Sequence, residues 1–384
     1  MMETALGFNR TERTLRQKLW QLQWFFIFLI CVIACVGFAM LYSAANGKFD
    51  PWATRQMVRF GVGFVAMLIV ALTDIRIWLR YAYFFYIVTL LLLVFVEFSG
   101  TIGMGAQRWI NLGLINLQPS EVMKITMILA LARYFHGVSV DDVGRILYLL
   151  PPVLIIAVPT ALVLRQPDLG TAVMLLIAGI ALFWLAGVRL AVFVAMAVGT
   201  LLALPLAWQF LHDYQRKRVL IFLNPESDPL GGGYHIIQSK IALGSGGLFG
   251  KGFLQGSQSH LNFLPEKQTD FVFTMLAEEV GMVGGLGLIA LYIIILIYGF
   301  AISLGSRNQF GRLIGLGITV TFFLYVFINI AMVTGLIPVV GVPLPLISYG
   351  GTAMMTVLIG FGLLLGVHVH RDIVIGRRSS GEEF

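Results

Sequence analysis

The sequence predicts an all-α integral membrane protein, a bundle of ten transmembrane helices with a large extracytoplasmic loop between spans 7 and 8. Three observations predict it. Of the 384 residues, 58% are hydrophobic and only 12% charged, against about 25% charged in a soluble domain. Apolar runs of roughly 20 residues, the length that crosses a bilayer as a helix, recur along the chain. One long polar segment, 212–276, separates the seventh run from the eighth.

The runs lie near 22–44, 56–74, 80–98, 119–135, 147–165, 170–187, 190–211, 277–304, 313–335 and 348–368. The first follows a basic arm, residues 1–21, and would pass for a signal sequence. Its length and the lack of a small-residue cleavage site make it an uncleaved first helix instead. Cys31 and Cys35 lie inside it and read as packing residues rather than a disulfide or a metal site. The fourth run opens at Pro119, a good first-turn residue. "RQPDLG", Arg165 to Gly170, breaks the next two runs apart, with Asp168 placed to cap the second. Residues 22–368 thus form one membrane domain, and 369–384 a tail.

An even number of spans puts both termini on one side, and Lys and Arg decide which. With the termini in the cytoplasm, the inner segments hold Arg10, Arg13, Arg16, Lys18, Arg76, Arg80, Arg133, Arg145, Arg189, Arg307, Arg312, Arg371, Arg377 and Arg378. The short outer loops hold only Lys48, Arg55, Arg59 and Arg108. The long loop is exempt from this rule and becomes the one large polar elaboration of the outer face. The net charge of +7 is spread over connecting segments, which argues against nucleic acid as a partner. Inside the loop, "YHIIQSKIAL" (Tyr234 to Leu243) is apolar enough for a short or re-entrant helix. "GSGGLFGKG" (Gly244 to Gly252) reads as glycine-rich turns, because it lacks the first glycine and the Ser/Thr of a phosphate loop. No internal repeat is evident, which weakens a transporter reading.

A buried charge in a bilayer costs at least about 2.5–3.5 kcal/mol, so charges near spans need a reason. Glu121 and Lys124, three apart after Pro119, share one helix face and can neutralise each other. They are either a dipole-matched pair or the lining of a cavity. In "GAQRWINLG", Trp109 suits the interfacial belt, while the Arg108 guanidinium is a phosphate binder. Asp270, in "EKQTDFVF", is a helix cap, alone or with Thr269, or a base at the outer boundary, where desolvation strengthens a carboxylate's basicity. His260 is an alternative base, and Glu278 and Glu279 could serve a helix N-terminus. Gly335 to Gly351, "GLIPVVGVPLPLISYGG", is too irregular for a straight helix, so Ser348 and Tyr349 either face a wet cavity or, for Ser348, cap the next helix.

Together the stretches "GAQRWINLG", "QPSEVMK", "QPDLGTA", "HDYQRKRVLIFLNPESDPLGGGYHIIQSKIALGSGGLFGKG", "FLPEKQTDFVF", "LAEEVG" and "PVVGVPLPLISYGG" resemble the SEDS family of shape, elongation, division and sporulation proteins. The match runs in order over nearly the whole chain. "NPESDPLGGGYH" and "GVPLPLISYGG" look more like its elongation branch than its division branch. The resemblance implies a ten-span peptidoglycan glycosyltransferase that polymerises lipid II outside the cytoplasmic membrane, partnered by a class B penicillin-binding protein and other elongation proteins. By motif position, Asp270 matches the family's essential aspartate, Glu121 and Lys124 its central polar pair, and Trp109 its functional tryptophan.

That reaction needs a base for the attacking sugar hydroxyl, and Asp270 is the candidate. It also needs positive charge for the departing pyrophosphate, from Arg108, Lys124, Arg216, Arg218 and Lys240 or from a divalent cation, Mg or Mn, with Asp270 as one metal ligand. One base and direct displacement imply inversion. Two other classes fit the same residues: a lipid II flippase or transporter using Glu121 and Lys124, and a non-catalytic scaffold that activates the penicillin-binding partner.

Overall fold

The structure is a computed structural model that describes residues 14–103, 106–111, 113, 116–139, 142–143, 145–210, 213–228, 231–261, 263–264, 266–373 and 375–376. Helices stand at all ten expected positions: α2 (Trp24–Ala44), α3 (Ala53–Leu72), α4 (Ile75–Ser99), α5 (Pro119–Gly137), α6 (Ile146–Arg165), α7 (Leu169–Leu185), α8 (Leu190–Phe210), α12 (Val272–Leu304), α13 (Gln309–Val333) and α14 (Gly351–Val369). Within the basic arm, α1 (Leu15–Trp20) precedes them. Seven helices, α2, α3, α4, α6, α12, α13 and α14, are long and apolar enough to cross a membrane among the described residues. The count of ten crossings is therefore an expectation that length and apolarity alone do not carry.

Burial sorts the helices. α5 and α13 are buried along most of their length and form the middle of the bundle. α3 turns Val58, Val62, Val65 and Ile69 outward, an apolar stripe at helical spacing. Such a face is stable only against lipid or another apolar surface, as a multi-pass membrane protein requires. Asp168 does cap α7, accepting from Thr171 N at 3.2 Å.

One end of the bundle is elaborated. There the segment before α5, where the sequence predicts an outer loop, folds as a small antiparallel sheet, β1 (Thr101–Gly103), β2 (Ala106–Asn111) and β3 (Asn116–Leu117). Short strands of two to six residues leave little periodicity to detect. The segment between α8 and α12 holds α9 (Asp213–Leu223), α10 (Gly232–Ser245) and α11 (Ser257–His260), so the apolar stretch at Tyr234 is a helix as expected.

α12 is broken at Gly281, whose φ of 77° and ψ of −169° only glycine adopts readily. The glycine-rich turns of residues 244–252 dock into this break: Lys251 N and Gly252 N donate to the carbonyls of Glu278 and Glu279 at 3.0 Å each. Met282 N and Val283 N donate to Gly247 O and Leu248 O at 2.9 and 3.1 Å. The chain thereby replaces helix bonds lost at the kink with bonds from the cap, which buried backbone groups require.

Candidate active site at the capped end of the bundle

Asp270 lies in the turn that leads into α12, and neighbouring elements fix that turn. Asn329 of α13, fully buried, donates through Nδ2 to Asp270 O at 3.0 Å and Val342 O at 2.7 Å. Ser348 Oγ donates to Thr269 O at 2.6 Å while accepting from Leu344 N at 2.7 Å. Tyr349 N donates to Gln268 O at 2.8 Å. The irregular segment between α13 and α14 is thus stitched to the Asp270 turn through the Ser348 hydroxyl and the Tyr349 N–H, and Ser348 also lines a small cavity with Tyr325 and Met354. Gly341, at φ +71°, faces the Asp270 carboxylate; a β-carbon there would stand 3.5 Å from Oδ2.

These contacts decide the capping alternatives. The N-cap of α12 is Phe271, with no side-chain cap bond, so neither Thr269 nor Asp270 caps it. Thr269 Oγ1 instead donates to Glu266 Oε2 at 3.0 Å. Ser348 is no cap either, because α14 is preceded by Gly350. Glu278 and Glu279 do not open a helix: both are buried in the second turn of α12. Glu278 accepts from Lys251 Nζ, Gln258 N and Ser259 Oγ, each at 2.8 Å. Glu279 accepts from Ser43 Oγ at 2.5 Å and lies 3.1 Å from His260 Nε2. His260 also contacts Asn46 Oδ1 at 2.5 Å, and these contacts join it to α12 and to the turn that follows α2. This histidine is a strut of the cap in the present arrangement.

Glu121 and Lys124 form a buried ion pair at 2.7 Å. Tyr325 OH donates to the other carboxylate oxygen of Glu121, and Lys124 Nζ stands 4.2 Å from the centre of the Tyr325 ring. Lys124 also lines a small cavity with Thr321, Tyr325 and Thr356. Tyr325 and Asn329 are one turn apart on α13, about 6 Å along the axis. One helical turn therefore holds both the central polar pair and the Asp270 turn.

The expected cations divide. Arg108 donates to the carbonyls of Gln166 (3.0 Å) and Pro167, clamping β2 to the α6–α7 corner, so its guanidinium is engaged in the fold. Trp109 is half-buried in β2, paired with Thr101. Arg216 donates to Gln209 O at 2.7 Å, back toward α8. The Lys240 side chain lies against Gly335 at the start of the irregular segment. The side chain of Arg218 is outside the described residues.

Sequence reasoning missed Gln56, Tyr325, Asn329 and Gly341. Gln56 is fully buried and donates to Ser348 O at 2.9 Å. Tyr325 and Asn329 left a signal, since polar groups four apart inside an apolar run share one helix face. Gly341 left none that separates it from its neighbouring glycines and prolines.

Comparison with known proteins places this geometry. A family model described as "Cell cycle protein", covering FtsW, RodA and SpoVE, matches residues 18–373. The peptidoglycan glycosyltransferase MrdB of Escherichia coli K12 is 44% identical over 351 residues, covering 90% of this chain and 93% of that protein. Stage V sporulation protein E of Bacillus subtilis is 36% identical, covering 89% of this chain and 95% of its own. Among solved structures, a chain of a peptidoglycan synthase complex coordinating polymerization and crosslinking superposes with a TM-score of 0.80 at 35% identity, covering 91% of this chain and 98% of that one. The rod shape determining protein RodA of Thermus thermophilus superposes with a TM-score of 0.70 at 30% identity, covering 92% and 98%. The chain belongs to the FtsW/RodA/SpoVE family.

Proposed function

We propose that this protein is a peptidoglycan glycosyltransferase that joins lipid II units outside the cytoplasmic membrane during cell elongation, working with a class B penicillin-binding protein. The observation that carries the site is the grip of one turn of α13 on both Asp270 and the Glu121–Lys124 pair. Relatives carrying the glycosyltransferase name align over nine-tenths of the chain and support the reaction class.

A hydroxyl of one lipid-linked saccharide attacks the anomeric carbon of the other. The new C–O bond forms as the bond to polyprenyl pyrophosphate breaks, and the pyrophosphate leaves with the electron pair. Asp270 takes the hydroxyl proton and returns it to solvent. The hydroxyl, deprotonated by a single base and attacking opposite the leaving group in one displacement, inverts the anomeric centre. Lys124, buried beside Glu121, and Lys240, exposed against Gly335, are the cations assigned to substrate charge. Among the described residues no three His, Cys, Asp or Glu side chains gather to hold a metal ion. A Mg or Mn ion would be held by Asp270 together with pyrophosphate oxygens and water, and no step here uses one.

The test is incubation of purified protein with lipid II, with and without the penicillin-binding partner, comparing wild type with Asp270→Asn of equal melting temperature. Glycan chains from wild type and none from Asp270→Asn are expected. Lipid II transfer between leaflets without polymerisation would favour the flippase reading. Unaltered glycan synthesis by an Asp270→Asn complex would leave a scaffold.

A further inference from the structure

One titratable group beside Asp270 has no part in the mechanism above. His235 stands in the first turn of α10 and lays its ring parallel to Phe271, the residue after Asp270, with centroids 6.1 Å apart and planes at 15°. One turn further along the same face, Ser239 bonds Thr274 Oγ1 at 2.9 Å and Val333 O at 2.7 Å. This face of α10 therefore covers the junction of α12 and α13 where the Asp270 turn is held.

The imidazole is half-buried, and its Nδ1 is buried without a hydrogen-bond partner among the described residues. A reachable hydrogen bond is then left to the Nε2 edge. Burial pushes the His235 pKa down from its ordinary value, against a smaller opposing effect from Glu266. The ring is neutral at pH 7, so it supplies no positive charge for a pyrophosphate. A hydroxyl is the partner that fits, because it donates to or accepts from Nε2 whichever tautomer is present.

We propose that His235 is a further substrate-contacting residue, whose Nε2 hydrogen-bonds a hydroxyl of the saccharide positioned at Asp270. This inference rests on the glycosyltransferase reading. The Phe271 stack fixes the ring plane, so the nitrogen is held in place before substrate arrives.

The experiment uses the full chain with its penicillin-binding partner and lipid II, and measures kcat and KM together with melting temperature. His235→Phe keeps the aromatic stack and deletes both nitrogens; His235→Gln keeps a hydrogen-bonding group and loses the stack. His235→Phe is expected to retain the wild-type melting temperature and lose about tenfold in kcat/KM, the effect of one neutral hydrogen bond. His235→Gln is expected to recover part of that loss. If wild type polymerises lipid II and His235→Phe matches it, the inference falls while the glycosyltransferase reading stands. If His235→Gln is as impaired as His235→Phe, or if the loss follows melting temperature, His235 is a packing residue and the inference also falls. If wild type makes no glycan, the parent reading fails first.

Discussion

Tyr325 and Asn329, one turn apart on α13, grip the two polar elements of the site: Tyr325 donates to Glu121, and Asn329 to the carbonyl of Asp270. Both are fully or almost fully buried, so neither bond is replaced by water when broken. Tyr325→Phe should leave one oxygen of Glu121 without its donor, at a cost of about 1–3 kcal/mol. Lys124→Met should cost more, about 3–5 kcal/mol, because it leaves an unpaired carboxylate in the middle of the bundle. The double variant Glu121→Leu/Lys124→Met should recover most of that stability and none of the activity. Melting curves in detergent and glycan assays on the same samples check this ordering. A Lys124→Met protein as stable as wild type would show that the ion pair contributes nothing to the fold.

Gly341 sets the floor under the Asp270 carboxylate. Its φ of +71° is left-handed, and an alanine there adds about 1–2 kcal/mol of strain along with a methyl 3.5 Å from Oδ2. Gly341→Ala is expected to lower melting temperature modestly and kcat more strongly, since relief of the strain shifts the backbone against which the base rests. An unchanged kcat at a lowered melting temperature would mean that Asp270 does not depend on this contact.

What could be read beforehand follows from which physical signals are local. Ten apolar runs gave ten helices, seven of them long and apolar enough to cross a membrane, because apolarity is a property of consecutive residues. Asp168 was legible as a cap for the same reason, its partner being three residues away. Asp270 is legible as the last polar residue before an apolar helix, yet its alternative as a cap fails because Phe271 takes the N-cap position instead. Arg108 illustrates the limit most clearly. As a residue type it suits phosphate, but its carbonyl partners lie 58 and 59 positions away, and only the folded chain brings them together. Glu278, which by position could serve a helix terminus, instead takes its donors from a cap 19 to 27 residues upstream, which no local signal reveals.

The kink in α12 is a second place where backbone decides. At Gly281 an added β-carbon would run into the backbone of Gly250 and come within 2.5 Å of Leu248 O. Both are main-chain atoms of the docked glycine-rich turns, so no side-chain rotation can relieve the clash. Gly281→Ala is expected to destabilise by about 3 kcal/mol or more, combining left-handed strain with forced separation of the cap. Limited proteolysis should cut residues 244–256 faster in this variant than in wild type. Equal rates and an equal melting temperature would show that the cap does not need the kink.

His235 also predicts a stability that depends on pH. Burial holds its folded pKa below the ordinary 6.5, so between the folded value and 6.5 the unfolded chain binds more protons than the folded one. Stability from this group is fully present above 6.5 and is lost as pH falls through that window toward the folded pKa. Glu266, the charged group facing it from the Asp270 turn, opposes the shift, and its removal should widen the window. Melting temperatures of wild type and His235→Phe should therefore agree in their slope above pH 7 and diverge below 6.5, with the wild type falling faster. Subtracting one curve from the other removes the carboxylates common to both proteins, which titrate in the same acid range. Parallel curves from pH 8 to pH 5 would mean that His235 takes up its proton as readily in the folded protein as in the unfolded chain.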